Sequence, residues 1–181
     1  MTDIFEKNKK LLEQYLRASL KHLKRIEFAK REIKKLNIYK QEELFIMASD
    51  QIIYRFGQLQ DQMAKKIFPS ILKILGEDEN SFIDIFDKLE KMNFLDIEFN
   101  EWQDLRDKRN NIHEYEELSI SDLKDKLDVI VDKYVNHLEK VFIHLFGKIM
   151  TEKHLSSIID EDMKNLYNNI KENMKDKQNE I

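Results

Sequence analysis

The 181-residue chain contains no cysteine, one proline and three glycines. Without cysteine there can be no disulfide framework, no thiolate zinc site and no thiol nucleophile. Nothing then calls for an oxidising compartment. Scarce Gly and Pro weigh against a many-turned sandwich, and against the glycine-rich phosphate cradles of Rossmann and P-loop folds. Long apolar runs are missing as well. Charges break up the opening MTDIFEKNKKLLEQYL, leaving neither a signal-peptide core nor a spanning helix. A cytoplasmic protein with no membrane partner is the simplest expectation. The chain does have charge, with 31 basic and 35 acidic residues and a formal net charge of −4. This mild acidity argues against a surface coated for nucleic acid, so any polyanion site must be focal. The 41% apolar content suffices for the core of a helical bundle. The expected fold is all-α.

Apolar spacing divides the chain into helices. Leu12, Leu16, Leu20, Leu23, Ile26 and Ile33 recur at helical intervals and place one long amphipathic helix over Asp3 to Lys35. Asn37 to Lys40 reads as a turn. A second helix from Gln41 carries Phe45, Ala48, Ile52, Phe56, Leu59, Met63 and Ile67, with Gly57 inside it as a point of close packing. Pro69 should kink or restart this helix, and Gly76 should end it. Ser81 with Asp84 forms a capping-box pattern before Phe82, Ile85, Phe86, Leu89 and Met92, and Asn93 is the expected stop. After an irregular Phe94 to Phe99, Asn100 is the expected cap of a fourth helix, with Gln103 reaching back. Ser119 or Ser121 opens a fifth, whose stripe from Leu123 to Leu145 runs until Gly147. The expectation is an up-and-down bundle of four to five long helices over residues 1–150. Residues 151–181 should add a docked helix or polar tail to the same domain.

The densest polar constellation lies in the fourth helix. Arg106, Arg109, Asn110 and His113 fall at i, i+3, i+4 and i+7, one face of a helix. Guanidinium forks hold phosphate, and an imidazole moves protons near neutrality. In-line RNA cleavage needs both functions. The 2′-OH must lose a proton, the leaving 5′ oxygen must gain one, and the phosphorane charge must be stabilised. The same face could instead form ordinary surface ion pairs with Asp104, Asp107 and Glu117.

The string Arg106 to Tyr115, RDKRNNIHEY, resembles the signature of the HEPN superfamily (higher eukaryote and prokaryote nucleotide-binding helical bundles). That signature is an Arg, then four to six intervening residues of which the first is polar, then a His. Arg55-Phe56-Gly57-Gln58-Leu59-Gln60-Asp61, then Phe68-Pro69, Ile71-Leu72 and Phe86-Asp87-Lys88-Leu89-Glu90, resemble the second and third helices of HepT-like HEPN toxins. The likeness spans about Gln41 to Leu118. The interval from the Arg109-Asn110 pair to His113 is one residue shorter than those toxins usually keep. Arg106, with six residues before His113, fits the broader pattern.

The resemblance implies a metal-independent endoribonuclease without cofactor, in which His113 and either Arg106 or Arg109 form the catalytic pair and Asn110 orients it. It also implies a homodimer whose two motifs face one RNA cleft. Tyr115 matches the tyrosine that a partner nucleotidyltransferase (MNT) antitoxin adenylylates. A non-catalytic HEPN subunit presenting nucleotide to a nucleotidyltransferase is the alternative, and a helical interaction protein is a third reading.

Other residues carry weaker patterns. His137 and His144 are seven apart with no accompanying ligand set, His22 and His154 are isolated, and no DxD or HExxH pattern occurs. Lys7, Lys9 and Lys10, like Lys21, Lys24 and Arg25, read as a solvated face.

Overall fold

The computed structural model describes residues 2–78, 80–110 and 118–176. These fold as an all-α bundle, with no strand among the described residues. In chain order the helices are α1 (Thr2–Ile33), α2 (Glu42–Gln62), α3 (Phe68–Leu75), α4 (Phe82–Lys91), α5 (Phe99–Asn110), α6 (Ile120–Ile130), α7 (Asn136–Thr151) and α8 (Glu161–Asp176). A π-helical turn, Met63–Ile67, joins α2 to α3, and another, Val131–Val135, joins α6 to α7. The eight segments therefore make six rods.

The α1 stripe behaves as its spacing predicts. Leu12, Leu16, Leu20, Leu23 and Ile26 are fully buried, and the helix packs most extensively against α2, with further contacts to α3 and α8. From α2 through α3, Phe45, Ile52, Phe56, Leu59, Met63, Ile67, Phe68 and Ile71 face inward. Pro69 sits in the first turn of α3, where its missing N–H is least costly. The π turn just before it lets the rod restart. Gly76 ends α3 in the left-handed region (φ 77°), and the following Glu77 N–H donates to the Leu72 carbonyl at 2.9 Å.

Ser81 caps α4 as expected, its Oγ accepting from the Asp84 N–H at 3.2 Å. The Asp84 carboxylate reaches back to the Asn80 N–H at 3.4 Å. Lys88 and then that Asn80 N–H hold the Asp84 carboxyl below its usual pKa. Asn93 stops the helix at φ 60°, and the Phe94 N–H donates to the Leu89 carbonyl at 2.8 Å. Of the two candidate serines, Ser119 caps α6, accepting from the Asp122 N–H at 3.2 Å.

Two expectations are corrected. Asn100 lies inside α5 rather than capping it. The helix starts at Phe99, two residues before a cap at Asn100 would place it, and the Glu101 carboxylate accepts from the Glu98 N–H at 3.1 Å. Gly147 does not end α7, which runs on to Thr151 and buries Ile149. Its role is steric instead. A Cβ there would lie 3.1 Å from the Tyr167 hydroxyl, which itself donates to the Ile143 carbonyl at 3.3 Å.

The C-terminal segment is a docked helix. Met163, Tyr167 and Ile170 of α8 join the same core cluster as α1, α2 and α7, and Tyr167 stacks on Phe146 at 4.9 Å between centroids. Ahead of α8, Asp160 accepts from the Met163 N–H at 2.9 Å and pairs with Arg17 of α1. The Met163 N–H first and Arg17 second draw the Asp160 carboxyl below its ordinary pKa. Phe45, Leu123 and Leu127 form a smaller cluster joining the start of α2 to α6.

Candidate functional site

Helix α5 carries the first part of the motif, Arg106 to Asn110, and aromatic packing fixes its position. Trp102 is buried against Phe68 of α3, with ring centroids 5.3 Å apart, and against Phe86 of α4 at 6.1 Å. Phe99 meets Phe86 edge to face at 5.4 Å. Trp102 and Leu105, three apart, thus turn one side of α5 into the bundle and leave Asp104, Arg106, Asp107 and Lys108 exposed.

Arg106 extends from this outer side. No carboxylate among the described residues pairs with it, and neither Asp104 nor Asp107 does so. Residues one or two positions apart on a helix do not face each other. Among the described residues nothing hydrogen-bonds to its five guanidinium donors. Arg106 also borders a cavity of about 240 Å³ between α2, the start of α4 and α5, shared with Gln60, Asp61, Phe82 and Trp102. Beside it Lys65 pairs with Asp61 at 3.2 Å.

Of the remaining motif residues, Arg109 and Asn110 contribute backbone to the last turn of α5, and the side chains described on that helix end at Lys108. His113 and Tyr115 lie outside the described residues. The other half of the resemblance, Arg55 to Asp61, lies on α2 and divides between two places. Arg55 turns toward α1, where its Nη1 donates to His22 Nδ1 at 3.3 Å. Burial, then Arg55 and Arg25, push the His22 pKa down to about 4. Gln60 and Asp61 instead reach the Arg106 cavity.

Sequence reasoning did not single out Gln60 as functional. It is 2% exposed, and both polar atoms of its carboxamide lack a hydrogen-bond partner among the described residues. A signal was nevertheless present: Gln60 shares the inward stripe of the continuous α2–α3 rod with Phe56, Met63 and Ile67, a polar residue where an apolar one is expected.

His144 of α7 is engaged locally. His144 Nε2 donates to the Asn93 carbonyl at 3.1 Å, and its Nδ1 lies 3.6 Å from the Asp96 carboxylate. Among the described residues no group of three His, Asp or Glu side chains is placed to hold a metal ion, and no helix is long and apolar enough to cross a membrane. No protein-family model, curated protein or solved structure matches the chain.

Proposed function

We propose that this protein is a HEPN-type, metal-independent endoribonuclease toxin acting as a homodimer, with an MNT-family nucleotidyltransferase as its antitoxin. The observation that carries the reading is Arg106. It is an exposed guanidinium with no carboxylate partner among the described residues, on the helix that leads into the RNNIHEY string. In the proposed reaction His113 exchanges protons with the 2′-OH and the leaving 5′ oxygen, while Arg106 or Arg109 bears the phosphorane charge and Asn110 orients the pair. The 2′-oxygen bonds to phosphorus as the bond from phosphorus to the 5′ oxygen breaks. Adenylylation of Tyr115 would set a phosphodiester beside these cations and occupy them.

The test is RNA cleavage by the purified protein in EDTA. Wild type should cut, His113→Ala should lose roughly 10²–10⁴-fold in rate, and Arg106→Ala roughly 10²–10³-fold if Arg106 is the catalytic arginine. RNA left intact by wild type would overturn the proposal. After co-expression with a nucleotidyltransferase partner, mass spectrometry should find a nucleotide on Tyr115; full inhibition with Tyr115 unmodified would point to steric blockade. The cavity beside Arg106 gives some support to the non-catalytic, nucleotide-presenting alternative, whose mark would be binding without cleavage.

A further inference from the structure

We infer that the cavity between α2, α4 and α5 is a base-reading nucleotide site, in which the Gln60 carboxamide pairs with the edge of one nucleobase and the Arg106 guanidinium holds the attached phosphate. The inference deepens the ribonuclease reading and rests on it only for RNA as the source of the nucleotide.

Three observations converge here. Gln60 is buried with donor and acceptor both unmet among the described residues, a condition native interiors avoid. The same helix satisfies its other buried polar side chain, because Ser49 donates to the Phe45 carbonyl at 2.7 Å. The Gln60 amide is therefore not explained by local backbone bonding, and Gln60 lines the cavity wall with its amide atoms covered, so pairing with a base needs a turn of the side chain toward the opening. The second observation is the wall. Phe82 and Trp102 supply aromatic surface to the cavity, their centroids 6.5 Å apart. Planar bases favour such surfaces whatever their identity. The third is charge. Lys65 offsets Asp61, and among the described residues the Arg106 cation at the cavity has no carboxylate partner, which suits a phosphate.

Size and pairing narrow the ligand. At about 240 Å³ the cavity is smaller than the ~300 Å³ at which pockets begin to enclose drug-sized molecules. One ring system fits, with its sugar and phosphate directed outward to Arg106. A carboxamide offers one donor group beside one acceptor, and adenine presents the complementary N6 donor and N7 acceptor side by side. On an unpaired nucleotide cytosine N4/N3, guanine N1/O6 and uracil N3/O4 offer the same pairing, so AMP is the first probe and the four nucleotides together decide the base.

Trp102 is the only tryptophan in the chain, so intrinsic fluorescence reports directly on this cavity. The full-length protein is titrated with the four nucleoside 5′-monophosphates, adenosine, inorganic phosphate and a short adenine-containing RNA. AMP should give a saturable change, adenosine a weaker one, and phosphate none. Gln60→Leu should weaken AMP binding about tenfold to a hundredfold while leaving the unfolding midpoint unchanged or higher, since an unmet amide has been removed. Arg106→Ala should weaken AMP but not adenosine. RNA binding as tightly as AMP would identify RNA as the source, whereas exclusion of RNA would assign the site to free nucleotide. The inference is overturned if no nucleotide gives a saturable change, or if Gln60→Leu binds AMP as wild type does. AMP binding without RNA cleavage would sink the ribonuclease reading alone; cleavage without AMP binding would sink this site alone.

Discussion

Lys30 of α1 is 6% exposed and is held by three side chains, Glu27 at 2.9 Å, Asn136 at 2.8 Å and Glu139 at 2.6 Å. Two buried carboxylates around one ammonium are tolerable only while that cation is present. Lys30→Met should therefore cost about 3–5 kcal/mol, read from the urea midpoint, whereas replacing Glu27, Lys30 and Glu139 together by apolar residues should cost far less. His22 gives a pH signature. Its folded pKa, lowered to about 4, lies below the unfolded 6.5, so its contribution is intact above pH 6.5 and is lost as the pH falls toward 4. His22→Gln should flatten that limb of the stability profile. A slope in the variant equal to wild type would contradict the assignment. At this scale the sequence exposed the Arg106 motif through residue type and spacing. It did not expose Gln60 as a cavity residue, because a lone polar residue on an apolar stripe becomes informative only once its missing partner is seen.

Helix ends were legible wherever one side chain decides them. Ser81, Ser119, Gly76 and Asn93 act as their chemistry requires, through hydroxyl caps and left-handed stops. Nothing lies within 4 Å of a Cβ built on Gly76, so Gly76→Ala should cost roughly 1–2 kcal/mol from backbone conformation alone. Gly76→Asn should cost less, and equal losses for the two would contradict this account. The misreadings have physical causes. Asn100 was the better capping residue by type, but the Glu101 carboxylate supplies the reach-back to Glu98 instead. Gly147 looked like a terminator, yet it is spaced to admit Tyr167, a contact between elements 20 positions apart. The two π turns were not foreseen. Each adds a residue to a helical repeat, and only the register of the packed rods reveals it.

Across the whole molecule, the scarcity of Gly and Pro and the helical spacing of apolar residues were enough to imply an all-α bundle. They could not decide between a docked helix and a free tail after Thr151, because the apolar residues there are sparse. Ile170, 3% exposed in the common core, settles how α8 is attached. Ile170→Ala should cost about 2–5 kcal/mol, with helix content and Trp102 fluorescence lost in one coincident transition. Separate transitions would mean that α8 detaches by itself. The proposed ribonuclease activity is decided by the chemistry of the cut. The most direct measurement is end analysis of RNA treated with the wild-type protein in EDTA, alongside RNA carrying a 2′-deoxy residue at the cut site. Attack by the 2′-OH should leave 2′,3′-cyclic phosphate and 5′-hydroxyl ends, with the deoxy RNA left whole and His113→Ala inactive. Intact RNA, cutting at the deoxy site, or undiminished cleavage by His113→Ala would contradict it.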